Sequence, residues 1–414
     1  MKTKCYYIVC LFFLLSCIKN DDINDDISYN MSPYYEENNQ TTTERLGEIM
    51  YNVDLVERFK VVHISDIHLS NLSNNNYKNP RNLKEAIRFS NQSNLKINAI
   101  VATGDFINNE NKTEAARYMN SFFFNLYNQN SIPTFPCYGN HDSNIAYNQI
   151  TGKNTEHFNK QELYSFFDNK DNYKLERPLG ENYYYTDVAN PMGGTIRFIA
   201  LDMLDQEGAE YNTQNDVIYS DKQIKWFCEI ALKEKMTPNH SIIILNHYPF
   251  QMRSWGNNKA TYLNNGSYVH SWNMIPEIVE AFRDKKQIQK DYPNRYKDDT
   301  IHIDTDFSNT PGEFICYMGG HAHVTTQFEI TDISNRSTKL PPQKMLLCTN
   351  ISPSEAGGIY NTVKREINNL SDNSFCIYAI DTNEKKVYIT FFGAYKPYGI
   401  IYREEYPEVQ TISY

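Results

Sequence analysis

Five times along this chain a short apolar run stops at a fragment built from Gly, Asp, Asn and His. The fragments are Asp66-Ile67-His68, Gly104-Asp105, Gly139-Asn140-His141-Asp142, Asn246-His247 and Gly320-His321-Ala322-His323. The runs that end there are Phe59–Ser65, Ile97–Thr103, Thr134–Tyr138, Ser241–Leu245 and Phe314–Met318. Val61, Val62 and Ile64 in the first are β-branched, as strands prefer. A polar stretch, Asn71–Asn82, and a helix candidate from Leu83 separate the first two runs, which predicts a βαβ unit. Open α/β sheets place their sites beyond the strand ends, so the pattern predicts polar side chains gathered at one edge.

Each fragment has its own chemistry. Asn140 offers an amide oxygen that can ligate a metal without adding charge. His141 is a proton donor one residue away, Asp142 can hold that imidazole, and Gly139 lets the backbone turn sharply. Asp66 and His68 alternate with Ile67, so both can point the same way. Carboxylates with imidazoles suit zinc, iron or manganese. Taken singly, the Gly-Asn-Asp loop is an ordinary turn and His247 has the profile of a structural histidine. His63, inside its run, reads as a packed strand residue.

In this order the fragments resemble the calcineurin-like metallophosphoesterase family, whose pattern runs D-x-H, G-D, G-N-H-D/E, H, G-H-x-H. The resemblance covers about Phe59 to Phe328. It implies an α/β fold, a four-layer αββα sandwich of two mixed sheets flanked by helices, with the metal site at the strand C-terminal ends. It also implies two divalent or trivalent ions (Mn, Fe or Zn). Asp66, His68, Asp105 and His323 would hold one, and Asp105, Asn140, His247 and His321 the other, Asp105 bridging. A water or hydroxide on the ions would attack phosphorus, and His141 would protonate or stabilise the leaving oxygen. Asp142 would orient His141. Asn108 stands where purple acid phosphatases carry a tyrosine ligand, so a coloured Fe(III)–tyrosinate site is not expected.

The N-terminus carries a separate signal. Lys2 and Lys4 precede an apolar run, Tyr6–Leu15, too short to span a bilayer and suited to a signal-peptide core. Leu14-Leu15-Ser16-Cys17 then resembles a bacterial lipobox, with ordinary signal cleavage as the alternative. The expected organisation is a signal peptide (1–16), a lipid-anchored flexible linker rich in Asn, Asp, Glu and Thr (17–50), a phosphoesterase domain (51–395) and a C-terminal tail (396–414). Lys19, Asp21 and Asp22 resemble an acidic export signal or form a solvated linker, so periplasmic and surface-exposed placements in the bacterial envelope both stand open.

Within the domain, helices are predicted over Thr113–Tyr127, Gln161–Phe167 and near Ile275–Ile288, and Ser220 to Gln223 matches a capping box. Ile196–Asp202 reads as a further strand. Residues 250–313 form an insertion with Trp255, Tyr262, Tyr268, His270 and Trp272, either a surface elaboration or a substrate-pocket wall. Met345–Thr349, Phe375–Asp381 and Lys385–Phe392 read as an antiparallel sheet. Cys137, Cys228, Cys316, Cys348 and Cys376 are scattered without C-x-x-C spacing and read as buried thiols.

Charged residues make up 22% and the formal charge is −10, which gives no basic footprint for general nucleic-acid binding. The expected function is metal-dependent hydrolysis of a small phosphorylated substrate, with the lipid anchor on a membrane. Monoester and diester substrates are not distinguished, nor is the oligomeric state. Two alternatives are a non-catalytic surface binding protein that keeps the metals, and a nuclease, which the charge disfavours.

Overall fold

The computed structural model describes residues 31–51, 57–70, 79–128, 130–153, 155–167, 174–205, 219–250, 273–294, 299–323, 325–330, 339–348, 370, 372–393 and 409–414. In chain order the first half runs α1 (Tyr35–Tyr51), β1 (Phe59–Ile64), α2 (Asn79–Ser90), β2 (Ala99–Thr103), α3 (Lys112–Asn128), β3 (Thr134–Cys137), α4 (Ile145–Thr151), α5 (Lys160–Phe166), β4 (Tyr184–Ala189) and β5 (Thr195–Ala200). The second half runs α6 (Asp221–Trp226), a π-helical turn (Phe227–Ala231), β6 (His240–Leu245), α7 (Met274–Asp284), β7 (Gln287–Asn294), β8 (Asp299–Asp306), β9 (Glu313–Gly319), β10 (Thr326–Ile330), β11 (Gln343–Leu347), β12 (Ser374–Asp381), β13 (Lys386–Gly393) and β14 (Gln410–Ser413).

The strands form two six-stranded sheets, ordered β14-β13-β12-β1-β2-β3 and β10-β11-β9-β6-β5-β4, plus the β7–β8 hairpin. In the first sheet β1, β2 and β3 are parallel, and β12 runs antiparallel to β1. In the second, β5, β6, β9 and β11 are parallel, with β4 and β10 antiparallel at the edges. Every side chain of β1, β2 and β6 is buried, which is why these strands read as continuous apolar runs. Between the sheets, Phe198 of β5 packs against Phe59 and Phe135, with ring centroids 6.1 and 5.0 Å apart. On the outer face of the first sheet, Phe89 of α2 packs edge-on against Phe375 and Phe392. This mixed α/β architecture of two sheets and flanking helices is the one the sequence implied.

Several expectations need correction. The stretch expected as a flexible linker contains α1, which is part of the domain. Tyr35 is 2% exposed and packs on Phe392, and the Ser32 amide donates to Glu85. The expected tail contains β14, which pairs with β13. Met345 to Leu347 joins the second sheet, parallel to β9, instead of an antiparallel sheet with β12 and β13. The helix expected to reach Ile288 stops at Asp284, where Lys285 turns left-handed, and Gln287 starts the hairpin. Ser220 does cap α6 by accepting from the Gln223 amide. The Gln223 side chain, however, completes no box: it bonds the Asp202 backbone and the Asp205 carboxylate. The five cysteines are free and buried, as expected. Residues 1–30, with the signal segment and Cys17, and the five aromatic and histidine residues of the insertion lie outside the described residues. Among the described residues no helix is long and apolar enough to cross a membrane.

Candidate metal centre

The loops beyond β1 and β2 stay paired after the strands end. Asp66 donates to the Gly104 carbonyl (3.0 Å) and His68 to the Asp105 carbonyl (2.9 Å). Asp66, His68, Asp105, His321 and His323 all have φ between 51° and 68°, a left-handed region that costs L-residues energy. They are half of the ten such non-glycine residues among those described, so backbone strain concentrates on the fragments singled out in the sequence. Asp66 and His68 therefore converge through left-handed turns, not through the alternation of an extended strand.

Two side-chain groups result. Ligand atoms of Asp66, His68, Asp105 and His323 lie within 4.8 Å of one another, and so do those of Asp105, His247 and His321. Asp105 belongs to both. Asn140 joins the second group, its Oδ1 lying 3.1 Å from His247 Nε2 and 3.1 Å from His321 Nδ1. In the first group the Nε2 atoms of His68 and His323 face each other at 3.1 Å. Asp66 Oδ2 is buried with no hydrogen-bond partner among the described residues. Asp105 Oδ2 sits 3.2 Å from His247 Nε2 and 3.6 Å from His68 Nε2 without an aligned hydrogen bond. Buried lone pairs aimed at a common point and left unsatisfied are unfavourable. A cation at that point removes the cost, so the donor set of carboxylates, imidazoles and one amide oxygen fits a pair of metal ions.

The protonation pattern agrees. Burial pushes the Asp66 carboxyl up to about 8, with Asp105 adding to the rise and His247 opposing it. Burial would also raise Asp105, but the imidazoles of His247, His141 and His68 hold it well below the usual carboxylate range. Burial lowers His247, yet Asp105 outweighs it and raises the pKa to about 9. Burial holds His68 and His321 well below 6.5 and His323 at about 4. In the metal-free protein the Asp105 charge thus favours a proton on His247, which an imidazole must give up to ligate a metal, so metal uptake should release protons.

Asp142 departs from its expected role. Its Oδ2 accepts from the amides of Asp105 (2.9 Å) and Gly139 (2.7 Å), and its Oδ1 from those of Phe106 (2.7 Å) and Ile107 (3.3 Å). The carboxylate is consumed in welding two ligand loops together and does not orient His141. Burial and the Asp105 charge push its pKa up to about 7 against the lowering by the Gly139 and Phe106 amides. Gly139 likewise serves close approach and not a left-handed turn: a Cβ there would collide with the Asp105 backbone and carboxylate. Gly104 needs both, with φ +83° and a Cβ position 2.5 Å from Gly139 N.

His141 points its ring into the site by another route. Its amide donates to Asp105 Oδ1 (2.9 Å), and its ring meets His68 edge-on at 4.7 Å between centroids. Its Nδ1 is buried with no hydrogen-bond partner among the described residues. His141, His321 and His323 are only partly buried while Asp66, Asp105, Asn140 and His247 are sealed, so the three histidines mark the open side. His63 stays apart, bonded to Tyr378 and Thr103 inside the sheet.

Residues to which the sequence assigned no role, Asn246 of the fourth fragment among them, brace the second group. Thr103 receives His247 Nδ1 on its carbonyl at 2.6 Å. Tyr219 donates to Asn246 Oδ1 (2.8 Å), and Asn246 Nδ2 donates to the Tyr248 carbonyl (2.6 Å). Position supplied the one available signal, since Asn246 and Tyr248 flank His247.

Two mixed sheets with this paired Asp/His cluster beyond their strand ends define a metallophosphoesterase-type protein. The calcineurin-like phosphoesterase family model matches residues 59–325, and the chain belongs to that family. Among solved structures, one described as "Structure of PhoD" aligns at 8% identity with a TM-score of 0.41, over 86% of this chain and 69% of that one. No curated protein matches the sequence.

Proposed function

We propose that the protein hydrolyses a small phosphorylated substrate at the Asp/His cluster, on a lipid-anchored envelope protein. The observation that carries the catalytic part is a pair of buried carboxylate oxygens, Asp66 Oδ2 and Asp105 Oδ2, that have no hydrogen-bond partner among the described residues and sit within the histidine cluster. Asp66, His68, Asp105 and His323 would hold one ion, and Asp105, Asn140, His247 and His321 the other. When bound, such ions lower the pKa of a water and neutralise phosphoryl charge. The protein's own residues do the rest. Asp142 locks the loops of Asp105 and Asn140 in register, so their positions are fixed before substrate arrives. His141 stands on the open side and donates a proton or hydrogen bond to the leaving oxygen. Burial lowers its pKa, and the negative charge of a phosphoryl group beside it raises the pKa again.

Turnover by metal-loaded protein on nitrophenyl monoesters and diesters, nucleotides and phospholipids tests the reading and separates monoester from diester chemistry. Within that panel His141→Ala should keep both ions and lose about 10²–10⁴-fold in kcat on an alkoxide leaving group. With nitrophenolate, which departs without a proton, the loss should be much smaller. Equal losses on both substrates, or loss of metal, would remove His141 from that role. The anchor rests on the Cys17 thiol, and Cys17→Ser should abolish partition into a detergent phase. A mutant that partitions like wild type refutes the anchor.

A further inference from the structure

We infer that Tyr248 is a positioning residue for the second ion site, acting through the face of its ring on His321; this rests on the metal reading above. His321 needs such support. Its backbone is left-handed at φ 68° and its Nδ1 faces Asn140. Metal-ligating histidines are ordinarily oriented by a hydrogen bond on the other ring nitrogen. His247 has that bond, to the Thr103 carbonyl at 2.6 Å. Among the described residues, nothing accepts a hydrogen bond from His321 Nε2. The phenol ring of Tyr248 lies over the imidazole instead, with centroids 3.6 Å apart and planes inclined at 25°. A stacked ring fixes the plane of an imidazole without using either nitrogen.

The brace is itself held. Tyr248 is 3% exposed, its edge meets His247 at 5.9 Å, and its carbonyl receives the Asn246 amide that Tyr219 secures. One buried side chain thus touches both histidines of the second group. Stacking is a property of the ring and not of the hydroxyl, so phenylalanine should replace Tyr248 and an aliphatic side chain should not.

The test is calorimetric titration of chelator-stripped full-length protein with Mn²⁺. Wild type should take up two ions, with His68→Ala identifying the site that belongs to the first group. Tyr248→Leu should weaken the second site roughly 10–100-fold, the usual effect of losing a ligand's outer partner. The first site should be unchanged and so report an intact fold. Tyr248→Phe should match wild type at both sites. Should the leucine chain fail to fold, Tyr248→Met, apolar and of similar reach, asks the same question. Unchanged affinity at the second site, equal weakening at both sites, or a phenylalanine chain as weak as the leucine one would each overturn the inference. A wild-type chain that takes up no ion would remove the metal reading and the inference together.

Discussion

His63 and His68 are five residues apart on one strand and its loop, and both are buried, yet their surroundings differ in kind. Inside the sheet, His63 has each ring nitrogen on a neutral hydroxyl, Tyr378 at 3.1 Å and Thr103 at 2.8 Å. Beyond the strand end, His68 faces another imidazole nitrogen and a carboxylate oxygen that has no aligned hydrogen bond. Carboxylates divide the same way. Asp381 is held by Arg58 at 3.0 Å and Asp142 by four amides, whereas Asp66 Oδ2 has no partner among the described residues. A polar group buried for the fold has its hydrogen bonds completed by the fold. One buried for a ligand is left open and is held there by strained backbone. Removing groups of the two kinds should therefore have opposite signatures: loss of function for the open ones, loss of stability for the closed ones.

The largest effect belongs to Asp105, the carboxylate common to both groups. Asp105→Ala should bind neither ion tightly, and turnover should fall to background. Elemental analysis after gel filtration checks this, and two tightly bound ions surviving in the mutant would end the bridging assignment. The fold should persist, because the Asp105 carboxylate accepts one backbone amide, that of His141, while Asp142 ties the loops.

Asp142 should behave in the reverse way. In Asp142→Asn the amide oxygen can accept two of the four N–H groups, but the new NH₂ confronts the other two. Each orphaned buried donor costs about 1–3 kcal/mol, so denaturant unfolding of metal-free protein should show a deficit of several kcal/mol. The matching change at Asp66, Asp66→Asn, removes a carboxyl that burial holds up to about 8 and should cost the metal-free fold little. If Asp66→Asn proves the more damaging to metal-free stability, the division between open and closed groups fails.

The sequence made the strands and the cluster legible for one physical reason. Parallel strands buried on both faces leave unbroken apolar runs, so the residue that ends each run is conspicuous, and here those residues are Asp66, Asp105, Asn140, His247 and His321. The sheet assignment of β11 was not legible, because Met345 to Leu347 looks the same beside β9 as beside β12. Nor was α1: polar residues such as Asn38 and Thr42 are buried through bonds to Leu370 and Phe391 carbonyls, partners more than 300 positions away. Asp142 and Tyr248 failed similarly. The sequence places a carboxylate beside His141 and a ring beside His247, but only the folded loops bring four amides to the first and His321 under the second.

The smallest effect tests the closed side of the comparison by pH. Burial holds the His63 pKa near 3, against 6.5 in an exposed histidine. As pH falls from about 6.5 toward about 3, the unfolded chain takes up a proton at this residue that the folded chain refuses. Stability from this group is therefore complete above 6.5 and is lost on acidification, at about 1.4 kcal/mol per pH unit for one proton. Other groups titrate in the same range, so a difference is the proper measurement. His63→Gln cannot take up that proton and keeps a donor and an acceptor for Thr103 and Tyr378. At pH 7 it should be less stable than wild type, since its geometry matches the two hydroxyls less well. At pH 5 the deficit should shrink by about 2 kcal/mol, because only wild type has lost the histidine contribution. Metal-free protein is used at both pH values, so the ion sites cancel. A deficit that stays constant between pH 7 and pH 5 would mean that the fold leaves the His63 pKa at its ordinary value, and a deficit that grows would place His63 with His247 among the charged groups.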